Sequence, residues 1–491
     1  MVEGDERYLV SSPLSSLLHQ RRGNQILEGA SLSGFAIGSI LPLLVRLSGN
    51  SSQVFFLHFA VFGSRGGHRE TVGDESNSAR AFICLQNPFN TPAIFEIFEY
   101  NKGRSEQIFN LRQVIRMRVS VLQENLAKGL ATAARAVPSR PTMPILANVL
   151  LATEDGRLQI SGNNLELGIT ARVGAKVDDD GAITVPARTL LELVNTLPPE
   201  RVDLEVDERT HTLTVICKGT VTTIKGISAE EFPSVPVADT DTGVEIAAPT
   251  FQSMIDQVVF AAARDDNRPV LMGVLVRFNA EHASIVAADG YRMSMRTADL
   301  ERPVAKPISV VIPARTMAEL SKIIGSSTES MYISVAPGRN QIMFFVNQTD
   351  VVSQLIDGKF PDVEALIPKA SNTRTTLRTT DLLGVCRRAE IFAREANNTM
   401  RLKIEPGSGG AGTLLIRSEA QEQGTNEDRI EGLVNGPGLE ISFNVRYLID
   451  VLGVMDTEQI VLETNTPANP GLIKPEGRQD FTYVVMPMST R

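Results

Sequence analysis

The segment Ile183-Thr-Val-Pro-Ala-Arg-Thr-Leu-Leu-Glu-Leu-Val194 occurs in three related copies along this chain of 491 residues. The other two are Val311-Ile-Pro-Ala-Arg-Thr-Met-Ala-Glu-Leu320 and Ile441-Ser-Phe-Asn-Val-Arg-Tyr-Leu-Ile-Asp-Val-Leu452. Corresponding positions of successive copies lie 127 and 131 residues apart. Recurrence at a fixed period is typical of a chain built from repeated structural units.

A second marker repeats in step with the first. Phe232-Pro233 and Phe360-Pro361 lie 128 residues apart, and Met486-Pro487 is a weaker third copy. We therefore predict three repeated domains, which span residues 117–241, 242–371 and 372–491.

Each copy of the first segment predicts an amphipathic helix. In the first copy Leu190, Leu193, Val194 and Leu197 follow the spacing of one helix face. The third copy repeats this spacing at Leu448, Val451, Leu452 and Met455. An arginine precedes the first apolar residue by two positions, a rotation of about 200° away from the buried face. We expect these arginines to face solvent: Arg188, Arg315 and Arg446.

A second helix and several strands complete each repeat. The second helices are predicted at 121–137, 250–264 and 380–395. Short, alternating, β-branched runs predict antiparallel strands, for example Thr212–Cys217, Gln341–Val346 and Thr482–Met486. The fold class is therefore α+β.

Composition limits the possible functions. Hydrophobic residues make up 42% and the net charge is −9, values of an ordinary globular protein that is not basic overall. Cys84, Cys217 and Cys386 are far apart and form no C-x-x-C motif. A zinc site or disulfide framework is not indicated, and a reducing cytoplasm fits best.

Residues 1–116 differ from the rest. They contain ten of the 20 Phe residues and three of the five His residues. The apolar run 32–47 is interrupted by Gly34, Gly38, Pro42 and Arg46, and is too short to cross a bilayer. We expect residues 1–116 to be an N-terminal extension without an assigned fold, disordered or absent from the mature protein.

Cationic residues recur on the solvent face of the predicted helices in all three repeats. A solvated helix face explains such charges equally well when one repeat is considered alone. Recurrence in three copies of an otherwise acidic chain favours a cationic surface for a polyanion.

Six motifs in residues 117–491 resemble one known family, the bacterial sliding clamp or beta subunit of DNA polymerase III. They are Arg140-Pro-Thr-Met-Pro-Ile-Leu146, Arg268-Pro-Val-Leu-Met-Gly273, Ala288-Asp-Gly-Tyr-Arg-Met293, Gly358-Lys-Phe-Pro-Asp362, Phe443-Asn-Val-Arg-Tyr447 and Tyr483-Val-Val-Met-Pro-Met488. The resemblance implies a head-to-tail homodimeric ring with helices around the hole and sheets outside. It implies a non-catalytic processivity factor that encloses duplex DNA without sequence preference and needs no cofactor or metal.

The resemblance also implies partners and their sites. Weak contacts to DNA are expected from Arg140 and Arg268 in loops and from the helix arginines. The expected partners are a clamp loader, the catalytic subunit of the replicative polymerase and other proteins with a clamp-binding motif, with no membrane contact. Their peptides would enter a cleft formed by Leu271, Gly290, Tyr291, Arg292, Met293, Pro361, Leu366, Asn444, Tyr447, Val484, Met486, Pro487 and Met488. The dimer interface would involve Thr222, Ile224, Ile391 and Phe392.

Two other function classes are alternatives to this interpretation: an enzyme and a protein-binding scaffold. Asp178–Asp180, Asp265-Asp266 and Asp289 could hold Mg²⁺ for phosphoryl transfer. Asp178–Asp180, however, precede Gly181 in a predicted hairpin turn, and no nucleophile motif accompanies any of the three groups. A repeat scaffold that binds proteins but not DNA is the other alternative.

Overall fold

The computed structural model describes residues 117–489 except 237–242, 266, 305 and 337–339, and also the backbone of four strands nearer the amino terminus. The chain divides into two compact units, residues 1–112 and 113–491.

The first unit contains an antiparallel sheet in which each strand pairs with the next along the chain. Its strands are β1 Phe35–Val45, β2 Phe55–Ser64, β3 Ser78–Gln86 and β4 Pro92–Asn101. The sequence analysis did not predict these strands. The other residues of 1–116 lie outside the described residues, and the proposal that this segment is a dispensable extension stays a prediction.

The second unit consists of three domains with the same order of elements, except that the first domain has one additional strand, β9. The first domain comprises β5 Arg118–Leu122, α1 Gln123–Ala133, β6 Asn148–Glu154, β7 Arg157–Asn163, β8 Leu167–Gly174, β9 Lys176–Asp179, β10 Ala182–Pro186, α2 Ala187–Thr196, β11 Arg201–Asp207, β12 Thr212–Cys217 and β13 Thr220–Lys225. The second comprises β14 Val244–Ala247, α3 Ala248–Asp256, β15 Gly273–Asn279, β16 His282–Ala288, β17 Arg292–Asp299, β18 Ile308–Pro313, α4 Ala314–Ile324, β19 Ser330–Ala336, β20 Gln341–Val346 and β21 Thr349–Gln354.

The third domain repeats this order. It comprises β22 Thr373–Arg378, α5 Thr379–Ala393, β23 Thr399–Pro406, β24 Ala411–Ala420, β25 Gly424–Asn435, β26 Leu439–Asn444, α6 Val445–Leu452, β27 Gln459–Thr464, β28 Gly471–Pro475 and β29 Phe481–Val485. Short 3₁₀ turns lie at Ala134–Ala136, Pro144–Ala147, Ala229–Glu231, Val259–Ala261, Pro269–Met272, Glu364–Leu366, Arg394–Ala396 and Ser408–Gly410.

Apolar periodicity explains most of these elements. In α2, Leu190 and Val194 are fully buried, whereas the side chain of Arg188 is 91% exposed. Arg315 and Arg446 are also exposed, so the predicted orientation of all three arginines is confirmed. The predicted strands Thr212–Cys217 and Gln341–Val346 match β12 and β20.

The predicted limits of two helices were wrong. The first was expected from residue 121, but Val121 is the buried partner of Val202 in the β5–β11 ladder, and α1 begins at Gln123. The helix expected from Thr250 begins earlier, at Ala248, with a proline in its first turn. Proline is favoured there because its fixed φ suits the first turn and its missing N–H is not needed.

Two sheets run continuously across the domain junctions. At the first junction β21 pairs with β8, with Thr349 opposite Ala171. At the second junction β29 pairs with β17, with Phe481 opposite Arg296. The resulting sheets contain eight and twelve strands, and a further five-stranded sheet, in the order β13-β12-β11-β5-β9, lies within the first domain.

The two helices of each domain pack against one another. Each domain has its own apolar core of fully buried side chains, represented by Leu126, Phe251 and Phe443. An ion pair between Arg135 and Glu319, 3.0 Å apart, joins the first two domains. We therefore expect the three domains to fold without the first unit.

Deleting residues 1–116 is expected to leave the melting temperature unchanged, because the second unit contains complete cores of its own. Calorimetry on the full chain and on a chain that starts at Met117 checks this. A clear loss of cooperative unfolding in the shorter chain would contradict the prediction.

Candidate functional site

A tight turn at the junction of the second and third domains positions the candidate site. The carboxylate of Asp289 accepts hydrogen bonds from the backbone N–H groups of Tyr291 (2.8 Å) and Arg292 (2.9 Å). Gly290, between Asp289 and Tyr291, has φ +92°. A Cβ at this position would lie 2.7 Å from the guanidinium of Arg268. Glycine suits this position because other residues are strained at positive φ. The turn presents the Tyr291 ring, which is 62% exposed.

A groove of about 520 Å³ lies beside this turn. The backbone N–H of Met486 donates to the Tyr291 carbonyl (2.8 Å), which joins the segment after β29 to the turn. Four chain segments supply the lining: Ala288, Gly290, Tyr291, Arg292 and Met293 from the second domain; Ala365, Leu366, Ile367, Pro368, Lys369 and Ala370 from the linker; Asn465, Asn469 and Pro470 from the loop between β27 and β28; and Val484 and Met486 near the chain end.

The walls of the groove are apolar and open to solvent. Tyr291, Leu366 and Met486 are all large side chains with at least 42% of their surface exposed. Below them Met293 and Val484 are buried and belong to one apolar cluster with Leu271. Exposed apolar surface concentrated in a groove is a common feature of sites that bind peptides or other proteins.

Arg292 holds the second domain against the third. Its guanidinium donates to Asp289 (3.1 Å), to Asp450 of α6 (2.6 Å) and to the Phe260 carbonyl (2.8 Å). It also lies 4.3 Å from the centre of the Tyr447 ring, a cation–π contact. Because only 6% of the Arg292 side chain is exposed, a ligand in the groove has little access to its charge.

The charge of Arg292 is stable in this setting. Burial disfavours the charged guanidinium, but the neighbouring Tyr483 and Asp450 outweigh that effect, so the pKa of Arg292 is raised above its usual value. Burial, aided by the negative charge of Asp289, raises the pKa of the Tyr447 phenol. Arg292 is therefore charged and Tyr447 neutral throughout the physiological pH range.

A second cavity, of about 550 Å³, lies on the other side of Tyr291 and has a polar lining. Tyr447 lies here rather than in the apolar groove. Its charged residues are Arg264, Asp265, Asp289, Arg292, Glu390, Arg446 and Asp450.

The structure brings together seven of the predicted cleft residues: Gly290, Tyr291, Arg292, Met293, Leu366, Val484 and Met486. Leu271 lies in the apolar cluster below them. Asn444 caps α6, because its side chain accepts a hydrogen bond from the Arg446 N–H (3.0 Å).

The other predicted cleft residues do not line this groove. Pro361 is exposed, and Pro487 and Met488 are half-buried. The Met488 N–H donates to the Ser442 carbonyl (2.8 Å). The sequence analysis missed most of the linker wall and the loop of Asn465 and Asn469. The repeated motif Phe360-Pro361 lies just before linker residues 365–370, so it could have indicated that the linker contributes to the groove.

The first junction carries different side chains at the corresponding positions. Gly168 pairs with Val352 as Met293 pairs with Val484, so Gly168 occupies the place of Met293. A Cβ on Gly168 would lie only 2.9 Å from a methyl group of Val235. The linker residue Val235 thus packs directly on the strand.

The predicted DNA-contacting arginines are all exposed, but they differ in their partners. Arg188 bonds Glu192 (2.8 Å), Arg446 bonds Glu390 (3.2 Å), and Arg268 donates to the Asp289 carbonyl (3.0 Å). Arg140 and Arg315 have no ion-pair partner among the described residues. Exposed ion pairs are weak, so a polyanion can compete for these arginines.

The predicted interface residues lie at two separate places in the chain. Ile224 on β13 is only 7% exposed, and Thr222 is half-buried. Near the end of α5, Ile391 is 53% exposed and Phe392 is half-buried. Val221, which was not predicted, is the most exposed large apolar residue of β13, at 64%.

Within residues 117–489, apart from the gaps given above, no helix is both long and apolar enough to span a membrane.

Family models and known proteins agree on the family. The models for the N-terminal, central and C-terminal domains of the DNA polymerase III beta subunit match residues 117–236, 245–362 and 364–489. The beta sliding clamp of Synechococcus elongatus is 31% identical over 378 residues, which is 76% of this chain and 100% of that protein. The beta sliding clamp of Bacillus subtilis is 28% identical over 385 residues, with the same coverage of both chains.

Solved structures give the same result. The DNA polymerase III beta subunit of Pseudomonas aeruginosa superposes with a TM-score of 0.69 at 31% identity, covering 76% of this chain and 100% of that one. The sliding clamp of Bacillus subtilis gives a TM-score of 0.72 at 26% identity, covering 77% and 100%. The chain belongs to the DNA polymerase III beta-subunit family, the sliding clamps, and is a non-catalytic processivity factor of DNA replication.

Proposed function

We propose that two copies of this chain close head to tail into a ring around duplex DNA, and that the groove beside Tyr291 tethers the replicative polymerase and other client proteins. The observation that supports this proposal most strongly is the pattern of sheet continuation at the two internal junctions. Each junction joins the last strand of one domain to the fourth strand of the preceding domain.

Among the strand edges that remain unpaired after these junctions are made, two matter for the proposed ring. In the described part of the chain, β13 pairs with β12 alone. β25 pairs with β24 along its length, and with β22 only at Leu433–Asn435. Its first half therefore has one free edge. Because β13 corresponds to β21 and β25 corresponds to β8, the two free edges are the counterparts of strands that pair at the other junctions.

A single chain cannot satisfy both edges in the way its internal junctions do, whereas two chains arranged head to tail can. Unpaired backbone groups at a sheet edge favour addition of another strand. If the junction pairing of β21 with β8 is repeated between two copies, Thr222 would lie opposite Asn426 of the partner copy. Charges are compatible with the pairing, since β13 ends in Lys225 and β25 carries three carboxylates against one cation, Arg429.

The proposed ring uses the helices for weak contacts to DNA. Arg188, Arg315 and Arg446 on the helices, and Arg140 and Arg268 in the loops, are the cations we assign to phosphate contacts. Their attraction is sequence-independent and falls with salt concentration. Retention then depends on enclosure rather than on affinity, so a clamp loader is needed to open and close the ring.

The groove supplies the proposed tether. Two apolar anchors, a Leu or Met and a Phe, would bury on the order of 200 Å² of peptide surface, worth about 5 kcal/mol at 25 cal/mol/Å². Ordering the peptide offsets part of this gain. Micromolar affinity is expected, which allows the polymerase and repair proteins to exchange on one platform.

Substitutions of Ile391 and Phe392, the seam residues on α5 in the proposed dimer interface, are expected to convert the dimer into monomers. Ile391→Asp places a charge in a contact that is otherwise apolar. Phe392→Ala removes about 3 kcal/mol of contact at each of the two interfaces of the ring, which together raise the dimer dissociation constant by roughly four orders of magnitude. Sedimentation at submicromolar concentration measures the mass.

Leu165→Asp is the matched control, because Leu165 is also about half exposed but lies in the turn between β7 and β8. It is expected to remain dimeric. An unchanged dimer for both seam variants would place the interface elsewhere.

Met486→Asp is expected to weaken a labelled peptide with Leu and Phe anchors by roughly tenfold or more, because an ionised carboxylate replaces an apolar wall. Fluorescence anisotropy measures the affinity. Met143→Asp is the matched control, since Met143 is 40% exposed compared with 42% for Met486 and lies in the first domain. Equal affinity for Met486→Asp and wild type would remove this groove as the docking site.

A further inference from the structure

The charged residues that line the apolar groove are all cations. None of the described residues that line it is Asp or Glu, and its two charged residues are Arg292 and Lys369. The polar cavity on the other side of Tyr291 differs, because four carboxylates line it. An occupant of the groove therefore meets positive charge without a compensating carboxylate in the lining.

Only one of the two cations is available to a ligand. Arg292 is nearly fully buried, and its guanidinium is already bonded to Asp289, Asp450 and the Phe260 carbonyl. Lys369 is exposed and has no ion-pair partner among the described residues. The ammonium group of Lys369 is thus the open charge of the groove.

The neighbouring loop adds a second open donor. The side chain of Asn465 is satisfied at both ends, because its amide donates to the Ala370 carbonyl (2.8 Å) and its oxygen accepts from the Asn372 N–H (2.8 Å). The oxygen of Asn469 accepts a hydrogen bond from the Thr466 hydroxyl, whereas its NH₂ group has no partner among the described residues. Both open side-chain groups at this end of the groove, Lys369 and Asn469, are therefore donors.

We propose that Lys369 and Asn469 select client peptides in which an acidic side chain, Asp or Glu, flanks the apolar anchors. This inference rests on the proposed function of the groove and adds the chemistry of the partner segment. A carboxylate has two acceptor oxygens and no donor, so it complements an ammonium group and an amide NH₂ that line the same groove. The apolar walls hold the anchors and Lys369 distinguishes among segments that carry them.

The test uses three synthetic peptides with the same Leu and Phe anchors, all acetylated and amidated so that no terminal charge contributes. One has Glu before the anchors, one has Glu after them, and the third has Gln at both positions. Each is titrated by fluorescence anisotropy against the full chain at low and high salt. Lys369→Gln and Lys369→Glu are the test variants. Lys359→Glu, an exposed lysine that lies outside the groove lining, is the control for long-range charge.

Wild type is expected to bind one acidic peptide roughly two- to fivefold more tightly than the Gln peptide at low salt, the range an exposed ion pair supplies. The preference should disappear in Lys369→Gln, reverse in Lys369→Glu, and persist in Lys359→Glu. High salt should reduce it, because the pair is screened.

Equal binding of all three peptides by wild type would overturn this inference while leaving the groove as the docking site. An acidic preference that persists in Lys369→Gln would overturn the assignment to Lys369. If none of the peptides bound to any variant, the proposed function of the groove would itself fail.

Discussion

Backbone pairing at strand edges is the constraint on which the structure depends. A strand at the edge of a sheet leaves a row of N–H and C=O groups unpaired, and these groups are stabilised by pairing with another strand. The chain meets this requirement at two junctions by adding β21 to β8 and β29 to β17. Three domains with similar cores thereby become parts of continuous sheets, and their relative orientation follows from strand pairing.

The two internal junctions share one pattern of strand pairing but differ in the side chains at corresponding positions. Small Gly168 at the first junction lets Val235 pack on the strand and fill the space. At the second junction Met293 and the linker residue Val363 belong to one apolar cluster, and Leu366, further along the linker, forms part of an open wall. Arg292, in contact with Tyr447 and Asp450, fixes the two domains on either side of that opening. The second junction therefore carries a groove whose two sides are held in place.

The repeated helix segment and the alternating strands were predictable because burial imposes a period on the sequence. Leu190 and Val194 show this, as does the strand Gln341–Val346. The groove was only partly predictable. Its motif residues from Gly290 to Met293 were found by resemblance, but Lys369 and Asn469 belong to a linker and a loop without periodicity. Their proximity depends on how two domains meet, which no local pattern records.

The central claim is that the chain is held on DNA by enclosure, and the topology of the DNA tests it most directly. The protein is loaded onto nicked circular duplex by its clamp loader, washed in high salt, and the circle is then cut with a restriction enzyme. Because enclosure does not depend on ionic contacts, the account predicts retention on the circle in high salt and release after linearisation. Loss from the intact circle in high salt, or equal retention on linear DNA, would contradict it.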